Sequence, residues 1–251
     1  MPEYYVGPLA ITPSAVVWSP LLLTGIAAFW RADMGVTQSS GNVTAWADQT
    51  SNANTLTVNS GISGTSPTYG ATGFNTSYPG VTFAGTSLNA LESALNSSLA
   101  SSTKASFWIL LTVNADETTY PGVAGFLGNG AGVTTAPSID IYNNTGSQYA
   151  FQVGAVQFGI VYFGLPNTWL LTFALDGSNI NWYWNSNTPQ TPVACTSTVG
   201  GSGQYWFGAI NANGAPAFTL AAAGWCSNYT MTATDVNNLS IWCNSTFGTS
   251  V

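Results

Sequence analysis

The chain is short of charge above all. Of its 251 residues only Arg31 and Lys104 are basic and nine are acidic, for a net charge of −7. Charged residues make up 4% of the whole, against roughly a quarter in an average soluble domain. A nucleic-acid interface neutralises several phosphates with clustered cations, and two cannot do that. Attraction to an anionic lipid surface is disfavoured on the same ground. Histidine is missing altogether, which removes the commonest metal ligand and general base, and with it Ser-His-Asp and Cys-His catalysis. The cysteines, Cys195, Cys226 and Cys243, are odd in number and lack CxxC spacing. They read as buried free thiols rather than a disulfide framework. No positively charged n-region of a signal peptide is visible. The apolar stretch 15–30 is broken by Pro20 and Gly25 and is short for a membrane span.

What is present is an apolar interior and a neutral polar surface. Hydrophobic residues make up 45% of the chain and aromatics 13%, so a sizeable core is available. The surface must then be built from Ser, Thr, Asn, Gln and Gly. Such a surface suits a protein locked into an assembly, or one facing carbohydrate, better than a free cytoplasmic enzyme.

Along the chain, residues 1–24 carry Pro2, Pro8, Pro13 and Pro20 among apolar neighbours, and read as an extended N-terminal arm. From residue 25 to 251 the pattern is that of one domain made of strands. AAFWRAD and NVTAWAD alternate, FWILLTV is a buried strand, and SIDIY, YAFQVG, VQFGIVYF, WLLTFAL and INWYWN follow at intervals of about ten residues. Asp176-Gly177 between two apolar strands predicts a hairpin. Two helices are expected. One spans Leu88 to Leu99, with leucines at helical spacing. The other follows the Thr232/Asp235 capping box, carries a stripe of Val236, Leu239 and Trp242/Cys243, and stops at Gly248.

The stretch GIAAFWRADMGV…GNVTAWADQTSNANTLT resembles the opening of concanavalin A-like lectin/glucanase domains of the laminin-G-like type, common in bacterial and phage surface proteins. Trp30, Arg31, Ala32 and Asp33 match one element of that pattern, and Val43, Trp46, Asp48 and Asn52 a second. PGVTFAGTSLNAL, NTWLLTFALDGSNINWYWNSN and the closing FTLAAAGWCSNYTMTATDVNNLSIWCNSTFG match later elements more weakly, with Ala84 in place of an Asp. The resemblance implies an all-β fold, a two-sheet antiparallel jelly-roll sandwich with one short C-terminal helix. It leaves activity open, because this fold hosts lectins, hydrolases and structural modules.

Glycoside hydrolysis usually needs two carboxylates roughly 5–10 Å apart. No E-x-D-x-x-E strand is present, and Asp116-Glu117 sits in a turn-like stretch. Calcium would need clustered oxygen ligands; Asp33, Asp48, Asp116 and Asp140 form no such run, and no metal or other cofactor is expected. Arg31 and Asp33 share a strand face, and Asp48 ends the strand expected to return beside it, so Arg31, Asp33 and Asp48 read as a structural ion-pair cluster. Trp182, Trp184 and Tyr183, flanked by Asn181 and Asn185, are the candidate carbohydrate-binding residues, since aromatic faces stack on sugar rings and amides bind hydroxyls without charge. Tyr205, Trp206 and Phe207 are a weaker run of the same kind. The sequons at Asn42 and Asn75 carry little weight in a chain so rich in Asn, Ser and Thr.

The function expected from these features is a non-enzymatic virion structural protein of a bacteriophage: a lectin-like capsid decoration, fibre or tail module. It would be made in the host cytoplasm and displayed on the virion surface. Its partners would be other virion proteins, reached through the N-terminal arm, further copies of itself in a trimer, and a host glycan, with no nucleic acid and no membrane insertion. The alternatives are a cell-surface lectin and a divergent glycoside hydrolase.

Overall fold

A computed structural model describes residues 17–58, 65–84, 89–94, 102–115, 122–127, 139–145, 148–153, 156–162, 167–197, 199, 204–208 and 217–251. Most of the expected arm and Asp116-Glu117 lie outside them. The described strands pair antiparallel throughout and form a sandwich with one helix on its outside. The first sheet runs β15 (Val193–Ala194), β14 (Asn179–Trp184), β13 (Asn167–Asp176), β8 (Lys104–Ala115) and β17 (Ala217–Ser227). The far edge of β17 is shared by β1 (Ile26–Arg31) and β6 (Tyr78–Phe83), and β6 pairs onward with β5 (Thr68–Phe74). The second sheet runs β2 (Val36–Ser39), β3 (Asn42–Trp46), β4 (Leu56–Val58), β7 (Ala90–Ser93), β16 (Gln204–Gly208), β9 (Gly122–Leu127), β10 (Ile139–Thr145), β11 (Gln148–Val153) and β12 (Val156–Tyr162).

The inner face of the first sheet and the second sheet enclose one core, with Trp30, Trp46, Ile109, Leu111, Phe173, Tyr205, Phe207 and Trp225 among its members. The outer face of the first sheet is covered by α1 (Ala233–Phe247), over a second cluster that includes Phe29, Trp108, Leu110, Ala222, Leu239, Trp242 and Phe247. Strands buried on both faces lose the alternating pattern. This is why FWILL in β8 is continuously apolar and β17 is buried from Phe218 to Cys226. Gly224 has a specific reason to be glycine: a Cβ there would lie 2.5 Å from the Trp108 indole nitrogen. All three cysteines are free and buried, and burial pushes the Cys226 thiol up to about 12.

The C-terminal helix forms as the sequence pattern predicts. Thr232 Oγ1 accepts from the Asp235 backbone N–H while Asp235 Oδ2 accepts from the Thr232 N–H at 2.8 Å, and Gly248 closes the helix at φ 58°. The Asp176-Gly177 hairpin also forms, with Asp176 Oδ1 accepting from the N–H groups of Ser178 and Asn179; these bonds hold its carboxyl below the usual carboxylate range.

The helix expected from Leu88 to Leu99 is corrected in its described part. Residues 90–93 form β7, hydrogen-bonded to β4 and β16. Leucine spacing allowed a helix, but pairing on both edges satisfies the backbone and sends Leu91 into the core, so tertiary context overrides propensity.

Candidate functional site

Three groups of polar side chains are candidates for function. The first surrounds Asp48. β1 does not pair with β3, as the sequence reading expected; its inner edge pairs with β17 and its outer edge is fastened by the loop after β3. Asp48 is 9% exposed and takes the place of a strand. Its Oδ1 accepts from the N–H groups of Phe29 and Thr50, both at 2.9 Å. Its Oδ2 accepts from Thr50 Oγ1 at 2.8 Å, the Asn54 N–H at 2.9 Å and Asn54 Nδ2 at 3.1 Å. Asn52 and Asn54 donate to the carbonyl of Ala27, and the indoles of Trp30 and Trp46 donate to the carbonyls of Asn54 and Arg31.

The expected cluster of Arg31, Asp33 and Asp48 therefore divides. Arg31 Nε donates to Asp33 Oδ1 at 2.7 Å and its second guanidinium nitrogen to Oδ2, at the margin of the fold. The guanidinium also lies over the Trp242 ring, 5.4 Å from its centroid. Asp48 belongs to a separate network of neutral donors, because the loop rather than a neighbouring strand brings it to β1.

The second group is the expected aromatic platform, and the five residues do not share one open face. Tyr183 is buried under the helix. Trp182 and Trp184 point the opposite way and pack on the inter-sheet core, Trp182 within 5.6 Å of the Phe151 ring. Asn185 accepts from the Leu170 N–H at 2.7 Å and donates to the Thr168 carbonyl at 3.0 Å, so its amide extends the β13 ladder. Asn181 donates to Asp176. Tyr205 and Phe207 are core residues too, and Trp206 is buried on the other face of β16.

The third group was not foreseen. A cavity of about 420 Å³ opens on the outer face of the first sheet beyond the end of the helix. Its floor is Thr112 and Asn114 of β8 with Asn167 and Thr168 of β13, and its rim is Gly73, Asn75 and Thr76 at the β5–β6 hairpin. Register explains the floor. Thr82, Thr219, Thr112 and Thr168 stand opposite one another across β6, β17, β8 and β13, one row of hydroxyls on one face. Thr82 and Thr219 share a hydrogen bond of 3.0 Å and Thr112 and Thr168 one of 2.9 Å, while Asn114 Nδ2 donates to Thr219 at 3.0 Å.

The rim is set by the helix. Phe74 is fully buried and meets the Phe247 ring edge-on at 6.0 Å, and Tyr78 lies over Gly248, where a Cβ would approach its hydroxyl to 2.5 Å. Between these anchors Asn75 and Thr76 both adopt positive φ, 49° and 58°. Left-handed backbone at a β-branched residue costs on the order of 1–3 kcal/mol and collects at ligand clamps and similar sites. Asn75 Oδ1 accepts from Thr168 at 3.4 Å, joining rim to floor. The sequence signal was the asparagine-rich turn; nothing local announced its floor.

One carboxyl also escaped the sequence reading. Glu92, inside the expected helix, lies instead on β7 in a row of register with Thr57, Trp206, Gly125 and Asp140. Gln204 Nε2 donates to it, and burial raises its pKa from 4.5. A desolvated carboxyl keeps its proton to higher pH than a surface one, the property that general acids use. Among the described residues no group of three or more acidic or cysteine side chains could hold a metal ion, and no helix is long and apolar enough to cross a membrane.

No protein-family model matches the chain, and no curated protein matches it in sequence. Solved structures do match in fold. Trypanosoma rangeli sialidase in complex with sialic acid is 11% identical, over 88% of this chain and 33% of that one, with a TM-score of 0.56. Domain 4 of AbnA, a GH43 extracellular arabinanase from Geobacillus stearothermophilus, in complex with arabinotriose, is 13% identical over 86% of this chain and 98% of that one, with a TM-score of 0.60. The botulinum neurotoxin serotype D ligand binding domain in complex with N-acetylneuraminic acid is 11% identical over 86% and 50%, with a TM-score of 0.57. The chain thus spans about a third of the sialidase chain and nearly all of the arabinanase domain.

These matches carry one correction. The expectation of a chain without enzymatic activity is overturned: the structures that match its fold include parts of glycoside hydrolases, a sialidase and an arabinanase. The virion, capsid and phage reading finds no support in these comparisons. The chain has an antiparallel β-sandwich fold with one C-terminal helix.

Proposed function

We propose that this chain is a carbohydrate-binding β-sandwich domain, and that the cavity between the β5–β6 hairpin and the first sheet is its saccharide contact. The observation that carries this reading is the lining. Every wall is glycine, asparagine or threonine, so each side chain offers a neutral donor or acceptor that a sugar hydroxyl can meet. The volume of about 420 Å³ falls in the usual range for small-ligand sites, roughly 300–1,000 Å³. The floor is held by hydrogen bonds among its own side chains, so little ordering is left for the ligand to drive. The relatives of the same fold, solved with arabinotriose and with N-acetylneuraminic acid, lend support.

Calorimetric titration of the full chain with arabinotriose and a panel of neutral oligosaccharides tests this. We expect binding by at least one, weakened tenfold or more by combining Thr112→Val with Asn114→Ala. Unchanged binding in that variant would move the contact elsewhere on the domain.

A further inference from the structure

We propose that the cavity selects neutral saccharides and discriminates against anionic ones such as sialic acids; this rests on the carbohydrate reading above and names the ligand class. The argument is one of charge supply. The chain has two cations in total, and both are placed. Arg31 is held by both carboxylate oxygens of Asp33 and lies over Trp242. Lys104 begins β8, opposite Asp176 in register, whereas Asn114 stands ten residues further along the same strand, about 33 Å away at the usual rise per residue. Neither guanidinium nor ammonium lines the cavity.

A carboxylate entering the site would lose part of its hydration with no ion pair in return, inside a chain whose net charge is −7. A neutral sugar loses nothing comparable. Its hydroxyls both donate and accept, as do the Thr76, Thr112 and Thr168 hydroxyls and the amides of Asn75, Asn114 and Asn167 that line the site. On this account the chain sides with arabinotriose rather than with N-acetylneuraminic acid, the two kinds of sugar found on relatives of the same fold.

The experiment is titration of the full chain with matched pairs, lactose against 3′-sialyllactose and arabinotriose against N-acetylneuraminic acid, at low and moderate salt. The neutral member of a pair should bind at least tenfold more tightly. Asn114→Lys, or Asn167→Lys should the first variant melt early, should narrow that gap at low salt by supplying the missing cation. Equal or tighter binding of the sialylated member overturns the inference and leaves the carbohydrate reading standing. Binding of neither class overturns the carbohydrate reading and this inference with it.

Discussion

The Asp48 knot and the hairpin cavity are made of the same materials and do opposite things. Both use threonine and asparagine, and neither contains an ion pair among the described residues. In the knot the polar atoms are consumed: one carboxylate accepts five hydrogen bonds and one carbonyl, that of Ala27, is met by two asparagine amides. In the cavity the side chains are only partly matched: Asn75, Asn114 and Asn167 are exposed and the Thr76 hydroxyl has no partner among the described residues. In a chain with so little charge, amides and hydroxyls serve as struts where they are saturated, and the proposed contact is where they are left partly open.

The largest effect expected is on the knot. Asp48→Ala leaves the Phe29 and Asn54 N–H groups without their acceptor, at about 1–3 kcal/mol for each buried orphan, so chemical denaturation should report a loss of about 4 kcal/mol. A loss below about 1 kcal/mol would break the comparison, because the knot would not be a strut. Next comes the cavity: the Thr112→Val and Asn114→Ala combination should cost about 1–2 kcal/mol in hydrogen bonds while weakening saccharide binding tenfold or more. A larger loss of stability would mean that the floor is structural after all.

Arg31→Ala should be milder, about 1 kcal/mol. The Arg31–Asp33 pair lies at the rim, with side chains 20% and 27% exposed, where ion pairs contribute about 0–1 kcal/mol, and the contact with Trp242 adds a similar amount. Thermal melts of the two variants side by side would sharpen which member of WRAD…WAD holds the fold. The smallest effect expected is at Glu92, where burial desolvates a carboxyl. Its folded pKa is raised above the ordinary 4.5, so the folded state holds the proton longer and stability falls as pH rises through the raised value. Melting curves from about pH 4 to pH 7 should show Glu92→Gln gaining stability relative to the parent chain as pH increases; a constant difference would contradict this.

Much of the architecture was legible before any coordinates. FWILLTV, WLLTFAL and INWYWN are strands, Asp176-Gly177 is a hairpin, and the Thr232/Asp235 box and Gly248 bracket the helix, because each signal is local. The site was legible only in fragments. The pairing of Arg31 with Asp33 spans two residues on one strand face, yet the partners of Asp48 come from a loop that wraps β1. Trp182 and Trp184 looked like a platform because a strand pattern does not say which face meets the second sheet.

The sequence alone determined the class of the molecule and the chemistry open to it. Periodicity dictates strands, and the absence of histidine together with only two cations leaves carboxylates, amides, hydroxyls and aromatic rings as the groups available for contacts. Which of those groups face solvent was decided by tertiary structure. Residues 75, 112, 168 and 219 meet only through the register of β6, β17, β8 and β13 and through the clasp of Phe247 on Phe74. Whether an asparagine is spent on its own backbone or left facing solvent depends on contacts far away in sequence.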